Sequence, residues 1–569
     1  MKTYLNFVAI FPINFRKKLL ILVPLLGLSG VLEVASVAAL IPLISLVMDK
    51  SKIESINSFL EFNFSYEDML LAFSISIIVL FILKGLFSLF VYKYTYRFVA
   101  TAKSYIQMVL FSSYLNKKIS FFMNSNSSEY IRNIMTECNV VESRFIMPVV
   151  VLISESIPII FLFSFVIYLN PTGILFSGLL FIITGLLITK LTSSLLQKYA
   201  TEQMKSDGEM IKSAQQAFSS IREIIIYSKQ SEFKTEFNNH SINSANYIAK
   251  GLFINTLPKY LLEIVAILGM FIIGGIVFYT GNSTNEIFIQ MGVFLASLVK
   301  ILPSVNKIVA HIQALSYSKP SLDNYLKTLN GHNDVTSNMT NEKNNELEEF
   351  KSLTFSNVSF SYNGISIFKD FNLCIDKGKS IGIVGKTGSG KSTLLNLIIG
   401  LLEPDSGDIY VNDYKLTSVV DSYRNKIGYV PQETYLLDDT IFNNICFFRN
   451  YRVSQDAIEQ ARVKVYKLLK EMDLLELVDN LPHGIDTYVG EQGGRLSGGQ
   501  KQRIGIARAL FSDPEIIIFD EATSALDKLT EEKIISYITK YHHKKTIIMI
   551  AHRESTLSKC DYILDLNVL

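Results

Sequence analysis

Charged residues and cysteines are both scarce in this chain of 569 residues. Asp, Glu, Lys and Arg make up 19% of the sequence against 49% hydrophobic residues, and the mean hydropathy of +0.29 is high for a soluble protein. The four cysteines, at 138, 374, 446 and 560, lie far apart without a CxxC or Cys/His pattern, so neither a disulfide framework nor a metal site is indicated. The net charge of +2 argues neither for nor against nucleic-acid binding.

Nearly all of the apolar excess lies before residue 315. Six apolar segments occupy about 19–48, 66–96, 145–169, 172–195, 252–280 and 286–314. About 20 helical residues cross a bilayer core, so each segment is predicted to be a transmembrane helix. The first follows a basic cluster, as a signal peptide would, but it is too long for a signal h-region. It is therefore predicted to remain as a membrane anchor.

Basic residues set the predicted orientation. They flank the first segment and follow the second and fourth, whereas the tight turns after the third and fifth segments carry none. Both termini and both long connections are therefore predicted to be cytoplasmic, with the helices extending beyond the bilayer. The stretch 51–62 fits an amphipathic helix on the outer surface or an ordinary packed loop helix.

These patterns predict two domains and a linker. Residues 1–317 form a membrane domain of six transmembrane helices with cytoplasmic extensions, and 351–569 read as a soluble α/β domain. The stretch between them, 318–350, is rich in Asn, Glu and Lys and is predicted to be a linker.

A glycine-rich loop in the second domain predicts phosphate binding. Residues 381–393, IGIVGKTGSGKST, run from an apolar strand through a GxxxxGK[ST] loop into a helix start. Glycines let the backbone N–H groups face phosphate oxygens, and the helix N-terminus favours an anion. Lys391 is expected to reach the β- and γ-phosphates and Ser392 to ligate Mg²⁺. The predicted nucleotide-binding residues of the loop are Gly385, Lys386, Thr387, Gly388, Ser389, Gly390, Lys391, Ser392 and Thr393.

An acidic pair follows a second buried strand. The run 516–519 is wholly apolar and ends in Asp520 and Glu521. Asp520 is expected to bind Mg²⁺ directly or through water, and Glu521 to polarise the attacking water as a general base.

The pentapeptide LSGGQ at 496–500 lies between these motifs. With them and the six apolar segments it resembles the ATP-binding cassette (ABC) transporter family, and the resemblance covers essentially the whole chain. It implies an exporter-type membrane domain fused to a P-loop cassette that hydrolyses ATP with Mg²⁺. Further roles implied by the family pattern are adenine stacking by Tyr362, magnesium sensing by Gln432, and γ-phosphate contact by His552. Residues 524–527 resemble the family's D-loop, and the stretches near 114–124 and 218–228 its coupling helices.

The resemblance also implies a dimer. In this family the signature loop of one cassette completes the ATP site of the other, so Ser497, Gly498, Gly499 and Gln500 are expected to serve a partner's nucleotide. Because this chain has a full set of motifs, a second copy of itself is the expected partner. A heterodimer remains the alternative.

Lysines inside the apolar segments bear on the cargo. Charges in membrane segments are costly and usually face a cavity or a partner. The lysines concerned are Lys84, Lys259, Lys300 and Lys307. Either they line an anion-binding cavity, or they snorkel or pair with acidic residues such as Glu33, Glu155 or Glu263.

A second resemblance favours the cavity. The run 300–307, KILPSVNK, is similar to the sixth helix of bacterial flippases for lipid-linked oligosaccharides, where basic residues face the lipid pyrophosphate. That family uses arginine, and lysine lacks its bidentate fork.

The sequence thus predicts an ATP-driven exporter or flippase in the bacterial cytoplasmic membrane. Its predicted cargo is an amphipathic anion, such as a polyprenyl-pyrophosphate-linked oligosaccharide or a similar glycolipid. A drug or lipid exporter without pyrophosphate dependence and a peptide exporter are the alternatives. No nucleic-acid partner is expected, because six membrane spans exclude a soluble ABC protein acting on DNA or ribosomes.

Overall fold

The computed structural model describes residues 7, 11–39, 43, 65–123, 125–169, 171–279, 284–339, 346–362, 364–447, 454–522, 526–541, 544–551 and 557–567. The chain forms two compact units. The first comprises Met1–Lys117 and Asn124–Val335, and the second comprises Lys118–Met123 and Thr336–Leu569. The predicted amphipathic stretch 51–62 lies outside the described residues.

Long helices dominate the first unit. In chain order the α-helices of this part of the chain are α1 (Ile13–Ala38), α2 (Tyr66–Leu115), α3 (Ile119–Met123), α4 (Ser127–Arg132), α5 (Cys138–Val141), α6 (Met147–Leu169), α7 (Pro171–Ser219), α8 (Ile221–Ile226), α9 (Gln230–Tyr279) and α10 (Thr284–Met339). Two π-helical turns, Asn133–Glu137 and Glu142–Ile146, join α4, α5 and α6. Of these helices, α3 belongs to the second unit.

Apolar side chains on the long helices face outward. On α2, Leu83, Leu86 and Leu89 are largely exposed in the isolated chain. Within the described residues, three helical stretches are long and apolar enough to cross a membrane: Tyr66–Leu115, Ser127–Phe161 and Gln230–Gly269. Apolar side chains on the outer surface of such helices suit contact with lipid, because the hydrocarbon core of a membrane is itself apolar.

Part of the predicted linker is helical. Helix α10 continues through residue 318 to Met339, so the segment 318–339 extends the sixth long helix. Ser318, Leu322 and Tyr325 are buried in the first unit, at a spacing of three to four residues that places them on one helix face. Packing of this face against the other helices keeps a polar sequence helical, which composition alone did not indicate.

The second unit contains two sheets. Its strands are β1 (Ser352–Tyr362), β2 (Ile365–Asp376), β3 (Ser380–Val384), β4 (Ser406–Val411), β5 (Tyr414–Lys415), β6 (Ile427–Val430), β7 (Ile516–Asp520), β8 (Thr546–Ile550) and β9 (Tyr562–Asp565). Strands β2-β1-β4-β5 form an antiparallel sheet, and β6-β7-β8-β3-β9 form a parallel sheet.

Helices complete the second unit around these sheets. They are α11 (Lys391–Ile398), α12 (Leu416–Arg424), α13 (Ile441–Cys446), α14 (Gln455–Glu471), α15 (Leu475–Asp479), α16 (Gly498–Phe511) and α17 (Lys528–Tyr541). Strands β3, β7 and β8 are apolar and almost fully buried, as expected for parallel strands covered on both faces. Because β3 and β7 flank β8 in this sheet, the loops at their carboxyl ends meet at one edge, where ligands bind in open α/β sheets.

The short helix α3 lies with the second unit although its neighbours in sequence lie in the first. The Lys118 ammonium, just before it, contacts both oxygens of Glu403 at 2.8 and 2.9 Å. Ile119 packs against the core around β1, β2 and β3. The stretch near 114–124 was expected to couple the two domains, and its residues from Lys118 to Met123 are attached to the cassette.

Candidate functional site

The phosphate loop lies between β3 and α11, as the sequence predicts. Gly388 and Gly390 have φ angles of +87° and +92°, in the left-handed region that favours glycine. At Gly390, which caps α11, a Cβ atom would also come within 2.7 Å of the Ile367 side chain. The loop therefore requires glycine at 390 both for its conformation and for space.

Lys391 is folded back onto this loop. Its side chain is buried, and its ammonium donates to the carbonyl oxygens of Gly385 at 2.7 Å and Lys386 at 3.1 Å. The Ser389 hydroxyl in the same loop is buried without a hydrogen-bond partner among the described residues. A cationic group and an unsatisfied hydroxyl in a glycine-rich curl suit phosphate oxygens as their ligand. These residues therefore fit the triphosphate of ATP.

The acidic pair lies two strands away on the same edge. Asp520 ends β7 half-buried, and burial raises the pKa of its carboxyl, opposed by the hydrogen bond from Tyr429 and by the charge of Lys391. Glu521 follows with a φ of +49°, a conformation uncommon for a residue other than glycine and concentrated at functional sites. The Gln432 amide donates to the Glu521 carboxylate at 2.8 Å.

Tyr429 is a residue of this site that sequence reasoning missed. Its hydroxyl donates to the Asp520 carboxylate at 3.1 Å. It lies on β6, which pairs in parallel with β7, three residues before Gln432. Neighbouring parallel strands end at the same edge of a sheet. The position of this tyrosine just before Val430-Pro431-Gln432 could therefore have predicted that it lies beside the acidic pair. One strand end thus supplies a donor to each carboxylate of the pair.

We expect Tyr429→Phe to weaken the response to magnesium. Loss of a net hydrogen bond of about 1 kcal/mol corresponds to a roughly fivefold higher Mg²⁺ concentration for half-maximal ATP hydrolysis. The measurement is a Mg²⁺ titration of ATPase activity at saturating ATP. Tyr410→Phe is the matched control, because the Tyr410 hydroxyl donates to Asp408 at 3.2 Å elsewhere in the cassette. An unchanged titration for Tyr429→Phe, or an equal shift in both variants, would contradict the assignment.

The signature residues lie at the start of α16. Ser497 caps this helix, its hydroxyl accepting from the Gln500 N–H at 3.3 Å while the Gln500 side chain accepts from the Ser497 N–H at 2.8 Å. Gly498 and Gly499 form the first turn. This capping box fixes a helix N-terminus, which favours an anion such as a phosphate.

Arg508 joins the signature helix to the segment after Gln432, and sequence reasoning missed it too. Its guanidinium donates to the Tyr435 carbonyl at 2.9 Å and to the Asn444 carbonyl at 2.8 Å, and it lies 4.5 Å from the centre of the Phe447 ring. No recognised motif marks this arginine, because its partners lie more than sixty residues earlier in the chain. Arg508 therefore connects α16 to the segment that follows Gln432.

The structure places the remaining predicted nucleotide residues as follows. Tyr362 ends β1 and packs edge-on against Phe360, with ring centroids 4.9 Å apart, so its stacking on adenine stays a prediction. Asp527 of the D-loop caps the Thr530 N–H at 2.9 Å. His552 and residues 524–525 lie outside the described residues.

Two of the four candidate intramembrane lysines, Lys84 and Lys307, are paired with carboxylates. Lys84 lies 2.6 Å from Glu33, and Lys307 lies 2.7 Å from Glu155. The Ser304 hydroxyl also donates to Glu155 at 2.6 Å. Of the two alternatives, the structure therefore shows ion pairing for Lys84 and Lys307. The positive charges of these two lysines are balanced by carboxylates.

The other two candidate lysines differ from these. Lys259 on α9 is exposed, with its ammonium 5.6 Å from the centre of the Tyr260 ring. The side chain of Lys300 on α10 lies outside the described residues. Their roles stay predictions.

Comparison with known families gives the same two parts that the motifs and helices indicate. The sequence-family model of the ABC transporter transmembrane region matches residues 19–302. The sequence-family model of the ABC transporter matches residues 368–524. This chain belongs to the ABC transporter family. The transporter is thus a multi-pass membrane protein with a fused cassette, in which ATP hydrolysis is coupled to transport.

Individual relatives support this assignment over most of the chain. The transporter is 28% identical to an ATP-dependent lipid A-core flippase of Colwellia psychrerythraea, over 86% of this chain and 82% of that protein. It is 31% identical to an uncharacterized ABC transporter ATP-binding protein of Sinorhizobium fredii over the same shares. Its fold matches a bacterial Atm1-family ABC exporter with ATP bound, with a TM-score of 0.76 and 22% identity, covering 97% of this chain and 93% of that one.

Proposed function

We propose that this transporter is a homodimeric flippase that uses ATP and Mg²⁺ to move an amphipathic anionic lipid across the bacterial cytoplasmic membrane. A polyprenyl-pyrophosphate-linked oligosaccharide or a similar glycolipid fits this description. The similarity to lipid A-core flippases supports a lipid cargo. The proposal rests on two ion pairs that lie within apolar segments. One joins Lys84 to Glu33, and the other joins Lys307 to Glu155.

Such charges are not retained in a membrane for stability alone. Removing a charged group from water is costly even when it is paired, and intramembrane ionisable residues usually mark a substrate path. Ser36, 3.4 Å from the Lys84 ammonium, and Ser304 add hydroxyl groups beside the two pairs. An anionic head group would compete with Glu33 and Glu155 for the two lysines. The negative charge of the head group would then have a positive partner when it leaves water.

The dimer follows from the division of the ATP site. The phosphate loop and the pair Asp520 and Glu521 form one half-site on the cassette, and the N-terminus of α16 forms the other. In the proposed cycle, α16 of one cassette closes over ATP held by Lys391 of the other, with the cassettes in the cytoplasm. ATP binding favours the closed arrangement and hydrolysis releases it, which biases a two-state transporter.

The tip formed by α8 and its flanking residues offers an apolar surface for docking. In the first unit Phe218, Ile225, Ile226 and Tyr227 are 77%, 58%, 73% and 70% exposed, beyond the apolar segments. Contiguous apolar surface of this kind on a helix end marks a protein contact. We propose that this tip docks on the partner's cassette and transmits its closure to the membrane helices.

We expect the double variant Ile225→Asp, Ile226→Asp to lose lipid-stimulated ATP hydrolysis by about tenfold or more, because burying two charges in an apolar contact costs at least a few kcal/mol. The fold should survive, since both side chains are already exposed in the unit itself. Stimulated ATPase and melting temperature are measured together, with Arg222→Gln on the same helix as control. Retained stimulation at normal melting temperature would contradict docking by this tip.

The substrate proposal is tested by ATPase stimulation of the purified transporter in phosphatidylcholine nanodiscs. The panel contains a polyprenyl-pyrophosphate-linked glycan, lipid A, an apolar cationic drug and a peptide. We expect stimulation by the two anionic glycolipids only. Stimulation by the drug or the peptide without the lipids would replace the proposal with a multidrug or peptide exporter.

A matched substitution separates the role of charge from that of packing. Lys84→Gln combined with Glu33→Gln removes an ion pair without leaving an unpaired charge in the membrane. We expect this variant to keep basal ATPase and to require more lipid for stimulation. Stimulation at the wild-type lipid concentration would show that the pair is only structural.

A further inference from the structure

A cavity of about 360 Å³ lies between helices α7 and α10 in the first unit. Gln197, Thr201 and Met204 line it from α7, at a spacing that places them on one helix face. The face of α10 contributes Lys319, Pro320, Asp323, Asn324 and Lys327. Gln197 comes two residues after the predicted transmembrane segment 172–195, which puts one end of the cavity at the predicted membrane boundary.

The two lysines of this cavity differ from Lys84 and Lys307. Among the described residues, neither Lys319 nor Lys327 forms an ion pair, whereas Lys84 and Lys307 do. Asp323 lies four residues from each lysine on the same helix, a spacing that permits an i,i+4 pair. All three side chains instead line the cavity, which therefore holds two positive groups and one negative group.

The floor of the cavity is already ordered. Asn324 donates to the Asn133 side chain at 3.0 Å, and Asn133 donates in turn to the Tyr114 hydroxyl at 2.8 Å. The Arg132 guanidinium, which is paired with Glu137 at 3.7 Å, donates to the carbonyl of the lining residue Met204 at 3.4 Å. These hydrogen bonds hold the Asn324 side chain in place, so it would lose little conformational freedom on binding a ligand.

We infer that this cavity binds a phosphate ester whose head group also carries hydroxyl groups, such as a glycerol or sugar phosphate. Lys319 and Lys327 supply point charges for the phosphate, and Asp323 supplies an acceptor for a neighbouring hydroxyl. Small-molecule sites span about 300–1,000 Å³, so the cavity has room for one head group. The inference rests on the proposed function, since it makes the cavity the loading site for an anionic lipid at the membrane boundary.

Lysine acylation footprinting of the full-length transporter in phosphatidylcholine nanodiscs tests the inference. The probes are dihexanoyl phosphatidylglycerol for the lipid source, glycerol 3-phosphate for the free source, and dihexanoyl phosphatidylcholine as the zwitterionic control without head-group hydroxyls. We expect phosphatidylglycerol to slow acylation of Lys319 and Lys327 several-fold. Lys198 and Lys205, exposed on α7 outside the lining, should be unaffected.

The two sources give different results. Protection by phosphatidylglycerol but not by glycerol 3-phosphate identifies a lipid head group, and equal protection by both identifies the phosphate ester itself as the ligand. Protection by neither, or equal protection of the two control lysines, overturns the inference.

A variant pair separates this inference from the transport proposal. Loss of two charge-assisted contacts in Lys319→Gln, Lys327→Gln should raise the lipid concentration for half-maximal ATPase stimulation by about tenfold or more, with the maximal rate unchanged. Lys198→Gln, Lys205→Gln is the control. Identical stimulation of the double variant and the wild type would refute the cavity while leaving the flippase intact. Protection of the lysines without lipid stimulation of the wild type would refute the flippase while leaving the cavity intact.

Discussion

Glu521→Gln should reduce ATP turnover by about 100-fold or more while ATP still binds, because general base catalysis contributes roughly 10²–10⁴ in rate. The Glu521 carboxylate sits at the edge of the parallel sheet beside Asp520 and is held by Gln432 at 2.8 Å. Glutamine has the same shape and can keep a hydrogen bond to Gln432, but it cannot accept a proton from the attacking water. The variant therefore removes the chemistry and leaves the site intact.

Two measurements check this result. Steady-state phosphate release gives turnover, and binding of a fluorescent ATP analogue gives affinity, expected to be close to that of the wild type. Glu459→Gln, an exposed substitution on α14, is the control for loss of a carboxylate elsewhere in the cassette. Normal turnover in Glu521→Gln would overturn the assignment of the general base.

Lys391→Met should weaken ATP binding and remove turnover, in contrast to Glu521→Gln, which should remove turnover alone. Hydrogen bonds to charged groups are worth about 1.5–3 kcal/mol, so the affinity for ATP should fall by about 10- to 150-fold. Methionine keeps most of the buried stem of Lys391 and so preserves packing around α11. Turnover at millimolar ATP should then fall to background.

The neighbouring lysine provides a sharp control. Lys386 lies in the same loop, but its side chain is exposed and its backbone N–H is held by the Asn567 side chain at 2.8 Å. Lys386→Met changes the charge of the loop by the same amount and should leave ATP affinity within about twofold, since exposed charges contribute little. Equal losses in both variants would show that net charge, rather than a specific contact of Lys391, holds the phosphates.

Much of the nucleotide site was predictable because its chemistry is local in sequence. The loop 385–393 carries its own glycines, ammonium and hydroxyl, and the strand before it is wholly apolar. The strand that ends at Asp520 can be recognised in the same way. Both strands form as predicted, on either side of β8, and they end at one edge of the parallel sheet. Residues that support the site from a distance, such as Tyr429 and Arg508, left no such local pattern.

The membrane unit was predictable as a set of helices but not in its contacts. Apolar run length determines which segments cross a bilayer, and the family comparison matches the same region. The pairing of Lys84 with Glu33 and of Lys307 with Glu155 joins different helices. The sequence therefore left pairing and anion binding open as alternatives, with the second resemblance favouring anion binding.

By itself the sequence determined the motif order, the apolar segments and hence the family, because each depends on residues that are neighbours in the chain. Only the tertiary structure decided which lysines keep an available charge. It paired Lys84 and Lys307 with carboxylates and left Lys319 and Lys327 facing a cavity. The reason is physical: the energy of a charge depends on the groups within a few ångströms of it, and the packing of distant helices determines which groups those are.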